Sequence, residues 1–97
     1  MDIAELRPKA AQVSEQLKVM AHPERLLVLC TLMGGEVGAG ELQKTSELSQ
    51  SAFSQHLSVL KKHNLVSVRK ESQQVFYSLA DEKIRQLIGC LHSIYCV

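Results

Sequence analysis

Three thiols and one polar helix face are the parts of this 97-residue sequence that could do chemistry. Cys30 sits in the apolar run Leu26 to Met33, where a cysteine ordinarily packs as a small hydrophobe. Cys96 stands beside the last residue and is expected to be accessible. A helix C-terminus disfavours a thiolate, but His92, one turn earlier, could favour it when protonated. Cys90 has no evident partner. There is no Cys-x-x-Cys pair, no glycine-rich phosphate loop, no nucleophile elbow and no set of paired carboxylates, so the chain does not read as an enzyme.

The polar face lies between Ser49 and Lys62. If Leu57 and Leu60, with Ala52 or Phe53, point inward, then Ser51, Ser54, Gln55 and Ser58 point away. Short hydroxyls suit phosphate oxygens, and a glutamine can both donate to and accept from a base edge, best at adenine in the major groove. Gln55 is therefore the candidate base reader, with Lys61 and Lys62 placed for the backbone. Arg69 and Lys70 follow on a β-rich segment and suit phosphate or the minor groove, with Gln73 near its tip. His56 reads either as a structural residue of the helix or as a DNA contact, and His22 as a residue shaping a helix junction.

The elements that must position these residues are legible in the pattern. Val13, Leu17 and Met20 recur at helical spacing over residues 9–21. His22-Pro23 ends that helix and opens the next, since the residue before proline avoids helical dihedrals while proline suits the first helical position. The second helix runs to Met33 and stops at Gly34-Gly35. A short helix over 39–45, a turn over 46–49 and a longer helix over 50–63 form a helix-turn-helix, with Ser49 as N-cap and Asn64 as terminator. Residues 65–70 and 75–79 are β-rich and joined by a short polar stretch, which makes a hairpin wing. Asp81 caps a last helix bearing the apolar stripe Ile84, Leu87, Ile88, Leu91 and Ile94/Tyr95. The expectation is one mainly α domain over residues 1–97, a winged helix-turn-helix in the order α-α-α-α-β-β-α.

Charge agrees with that placement. The net charge is only +1, but residues 44–74 hold Lys44, Lys61, Lys62, Arg69 and Lys70 against Glu47 and Glu71. Phosphate responds to such local concentration. A surface for protein partners would show apolar residues at Ser51, Ser54 and Gln55 instead, although a winged helix serving as an interaction module is the main alternative. No apolar run is long enough to span a bilayer, the N-terminus has no signal-peptide pattern, and an odd cysteine count argues against a secreted disulfide framework. A cytoplasmic protein is expected.

Leu17-Lys18, Ala21-His22-Pro23-Glu24-Arg25-Leu26, Gly40-Glu41-Leu42, Leu48-Ser49-Gln50-Ser51, Ser54-Gln55-His56-Leu57 and Phe76-Tyr77-Ser78-Leu79 occur in order. In these pieces the chain resembles the ArsR-type winged-helix repressors over residues 10–97. The resemblance implies a transcription regulator that binds double-stranded DNA at an imperfect inverted repeat. It implies a homodimer through the first and last helices, with Val13, Leu17, Ile84, Leu87, Ile88 and Leu91 at the interface. One metal site of the family places two thiolates where this chain has Gly38 and Gly40. The other falls on Asp81, Lys83, Ile94 and Val97. Neither supplies the four or so ligands a metal such as zinc needs, so no metal and no cofactor is expected. Cys30 and Cys96, with Ile94-Tyr95 before the latter, resemble instead a dithiol-bearing subgroup. There the cysteine pair switches DNA affinity in response to reactive sulfur or oxidants, and Cys90 has no counterpart. A regulator without redox sensing is the alternative within the family.

Overall fold

The computed structural model describes residues 2–95. The first helix, α1 (Ile3–Met20), starts earlier than the expected position near residue 9. Asp2 accounts for this: its carboxylate accepts from the Ala4 amide at 3.1 Å, and Glu5 adds negative charge to the first turn. Pro8 is accommodated within the helix. At the other end, α2 (Pro23–Thr31) begins with proline at its first position and His22 as N-cap. The His22 ring accepts from the Glu24 amide at 3.1 Å. A 3-10 turn over Leu32–Gly34 leads to Gly35, whose φ of 124° is a conformation for which glycine is suited.

The next segment adds an element to the expected order. Val37–Gly38 forms a short strand, β1, before α3 (Ala39–Lys44) and α4 (Gln50–Lys62). Ser49 caps α4 by accepting from the Ala52 amide at 3.2 Å. Asn64, at φ 60°, closes it: the Leu65 amide donates to the Leu60 carbonyl and the Asn64 amide to that of Lys61. This is a Schellman ending with asparagine in the left-handed position. Strands β2 (Val66–Glu71) and β3 (Gln74–Leu79) then pair antiparallel from Val66↔Leu79 to Glu71↔Gln74. The connection is therefore tighter than the polar stretch 71–74, with only Ser72 and Gln73 unpaired and Ser72 at φ 56°. Because β1 pairs with the far edge of β3, the wing is a three-stranded sheet in the order β1-β3-β2. Asp81 accepts from the Ile84 amide at 2.9 Å and starts α5 (Glu82–Tyr95).

Among the described residues, every buried side chain is apolar. Val28 and Leu29 of α2 lie in one cluster with Leu42 of α3, Phe53, Leu57 and Leu60 of α4, Leu65, Val66 and Leu79 around the sheet, and Ile84 and Ile88 of α5. The position of α4 is thus set by the same cluster that holds α5. From α1, only Val19 and Met20 at its end are buried. Val13 and Leu17, on the body of that helix, are 46% and 45% exposed.

One sequence expectation changes here. Ile84 and Ile88 do not form an outward stripe: they are 4% and 0% exposed, inside the chain's own core, and have no surface left for a partner. Leu87 and Leu91 pack at the edge of that core. The open apolar side chains of α5 are Ile94 and Tyr95.

Candidate nucleic-acid interface

Phe53, Leu57 and Leu60 are the buried residues of α4, and they fix which way it faces. At 3.6 residues per turn, Ser51, Gln55, Ser58 and Lys62 fall on the opposite side, and Ser54 and Lys61 fall on the flank. All six are exposed. The face proposed from spacing is thus assembled, with Lys61 and Lys62 in the last turn, where cations also suit the helix dipole. On the wing side, a groove of about 500 Å³ separates α4 from β3 and α3 and is lined by Gln43, Lys44, Gln50 and Ser54 among others.

The turn before α4 is tied down by side chains. Gln43 Nε2 donates to the Leu48 carbonyl at 3.2 Å. The Ser46 hydroxyl accepts from the Leu48 amide at 3.0 Å and donates to Glu24 of α2 at 2.6 Å. His56 is half-buried on the flank of α4 that meets α2. Its Nδ1 accepts from Arg25 Nε at 3.1 Å, and its ring centroid lies 4.3 Å from that of His22. Burial, then the neighbouring His22 and Arg25, lower its pKa below the ordinary 6.5. The structure thus places His56 at a helix–helix contact, whereas Gln55 beside it is open.

The wing cations are not equivalent. Lys70 is exposed, and so is Gln73 at the tip. The Arg69 guanidinium holds Glu36, just before β1, through both carboxylate oxygens at 3.0 and 2.7 Å. It also donates to Glu71 at 2.6 Å and lies 4.7 Å from the Phe76 ring centre. These bonds hold the Glu36 carboxyl below its usual pKa and push Arg69 up. Arg69 therefore clamps the wing to the turn before β1. Sequence reasoning missed Arg25, Glu24 and Glu36 as supports. Arg25 and Arg69 reach partners 31 and 33 positions away, which no local pattern signals.

Of the thiols, Cys30 is partly buried on α2 against the core, and Cys90 is exposed on α5. Cys96 lies outside the described residues. Among the described residues, no three His, Cys, Asp or Glu side chains gather as a metal site would require. None of the described helices is long and apolar enough to cross a membrane.

The family model described as bacterial regulatory protein, arsR family, matches residues 22–68, from the cap of α2 to the start of the wing. The chain is 44% identical to the transcriptional activator HlyU of Vibrio cholerae over 96 residues, 99% of this chain and 89% of that protein. This chain belongs to the arsR family. Solved structures of other regulators share its fold along almost their whole length. Reduced HlyU from Vibrio cholerae superposes with a TM-score of 0.91 at 43% identity, covering 98% of this chain and 100% of that one. The transcriptional repressor BigR from Xylella fastidiosa gives 0.86 at 36% identity, covering 100% and 99%. The arsR-family match includes α4 and its exposed polar face, and it makes the chain a DNA-binding transcription regulator.

Proposed function

We propose that the protein binds an imperfect inverted repeat in duplex DNA as a homodimer and that thiol chemistry at Cys30 and Cys96 releases it. The observation that carries the DNA reading is the exposed face of Ser51, Gln55, Ser58 and Lys62 beside the wing. In this reading Gln55 reads a base edge in the major groove, Ser51 and Ser54 meet phosphates, and Lys61, Lys62 and Lys70 supply charge. Two-fold symmetry in the protein calls for a two-fold site.

The dimer reading is supported by apolar surface that the monomer does not cover. Val13 and Leu17 lie one turn apart on α1, and Ile94 and Tyr95, 61% and 79% exposed, end α5. A chain this size gains stability by burying such surface against a second copy. Light scattering at micromolar concentration should give twice the monomer mass, and a monomer there would sink this part of the proposal.

The thiol reading is supported by likeness to HlyU, one solved form of which is reduced, and by the position of Cys30 on the helix that carries α4. Joining two thiols removes two electrons and two protons, which an oxidant or persulfide donor must accept. Fluorescence anisotropy with the chain's own promoter region tests both parts. Reduced protein should bind, treated protein should bind at least about tenfold more weakly, and Cys30→Ser should stay bound after treatment. A Cys90→Ser background keeps that exposed thiol out of the result. Equal binding by all three proteins would leave a DNA-binding regulator without redox sensing.

The clamp makes a separate prediction. Glu36→Gln combined with Glu71→Gln removes both carboxylates that hold Arg69 and frees it to meet phosphate. Duplex affinity should rise about threefold, with a salt dependence steeper by roughly one counterion per protomer. Unchanged affinity and slope would mean that Arg69 does not reach the duplex even when free.

A further inference from the structure

We infer that His56 is a positioning residue for the DNA-reading helix: it sets the pose of α4 on α2 through Arg25, and it does so only as the neutral imidazole. The inference rests on α4 being the helix that enters DNA.

The hydrogen bonds specify the protonation state. Arg25 Nε–H donates to His56 Nδ1 at 3.1 Å, so that nitrogen presents a lone pair and the ring proton belongs on Nε2. Arg25 is itself aimed from the other side, since its Nη1 donates to the Val19 carbonyl at the end of α1, 3.3 Å away. The neighbouring His22 ring also uses Nδ1 as an acceptor, from the Glu24 amide. One guanidinium therefore joins three helices, and its contact to α4 is an imidazole lone pair.

The charged and titratable groups acting on His56 come from α2 and its cap. They are His22, Arg25 and Glu24. Val19 of α1 contributes only a carbonyl, and Glu24 is already held by Ser46. A proton on Nδ1 would set two N–H groups against each other and place a second positive charge beside Arg25. Acid therefore favours arrangements in which α4 is displaced from α2, where the ring is solvated and binds a proton more tightly. The effect has a ceiling, which is tenfold for each pKa unit between the two arrangements.

The sign separates this role from direct contact. An imidazolium touching phosphate would strengthen DNA binding in acid, whereas a positioning imidazole weakens it. The test compares wild type with His56→Asn, whose side-chain oxygen can take the place of Nδ1 but does not titrate. Duplex binding is measured at about pH 7.5 and about pH 5.8, a range that spans histidine titration. The ratio of wild-type Kd to His56→Asn Kd should grow roughly three- to tenfold on acidification, and a His63→Asn control should retain that growth. A constant ratio, or one that falls, overturns the inference. Imidazole NMR of the wild-type protein without DNA decides the matter if the variant folds poorly or no duplex is bound. His56 should carry its proton on Nε2 at neutral pH and titrate below free histidine, and the opposite tautomer or a normal titration overturns it. Failure of wild type to bind duplex at either pH would instead refute the DNA reading.

Discussion

Phe53→Ala should cost about 3–5 kcal/mol of stability and lower the melting temperature by roughly 15–30 °C. Phe53 is 2% exposed at the start of α4 and belongs to the cluster shared by α2, α3 and α5. Removing the ring leaves a cavity that its neighbours refill only in part. For a domain of this size, total stability is on the order of 5–15 kcal/mol, so the loss is a large share of the whole. DNA binding should fail at the same temperature, because the side chain that anchors the reading helix is gone. Ser54→Ala, one residue on and exposed, is the contrasting case. It should leave stability within about 0.5 kcal/mol while weakening duplex binding. Thermal unfolding followed by circular dichroism reads both. A drop of less than about 5 °C for Phe53→Ala would show that this cluster does not hold the fold together.

Duplex affinity should fall about 10³-fold when salt rises from roughly 50 to 200 mM. The figure follows from the three exposed cations per protomer proposed for phosphate, Lys61, Lys62 and Lys70; Lys44 is exposed too but is paired with Glu41 at 3.1 Å. In the proposed dimer, about six neutralised phosphates give a slope near −5 in a plot of log affinity against log salt. Counting Arg69 as a fourth cation would give a slope near −7 and a loss of over 10⁴-fold. The clamp on Glu36 and Glu71 is the reason for excluding it. Lys62→Ala should reduce the slope by roughly two per dimer while weakening all sequences alike. Gln55→Ala should leave the slope unchanged and relax discrimination at one base position, at a cost of about 1–3 kcal/mol. A slope near zero would remove the electrostatic basis of the DNA reading.

Acidity also bears on stability. Because His56 has a lowered pKa in the folded chain, the unfolded chain binds more protons as pH falls past the ordinary value of 6.5. The contribution of His56 to stability is thus fully present above that pH and is lost as pH falls through the lower, folded value. His56→Asn should flatten this part of the melting profile.

Elements with local causes were readable from residue order alone. His22-Pro23 marked the α1–α2 junction, Ser49 and Asn64 bounded α4, and Asp81 opened α5, because caps and left-handed endings act within a few residues. The spacing of Phe53, Leu57 and Leu60 also sorted α4 into an inner and an outer face, so Gln55, Ser51 and Lys62 were legible as its exposed chemistry. Features that depend on distant partners came from the packed fold. Val37–Gly38 is too short to announce a strand and exists because the free edge of β3 needs hydrogen bonds. Ile84 and Ile88 looked like a stripe for a second chain, yet α2 and the sheet cover them first, since one apolar face cannot state which surface will bury it. Arg69 and His56 were candidate DNA contacts by residue type. Glu36 and Arg25, remote in sequence, instead draw one into a clamp and the other into a helix joint, because a guanidinium binds whichever acceptors the fold brings within reach.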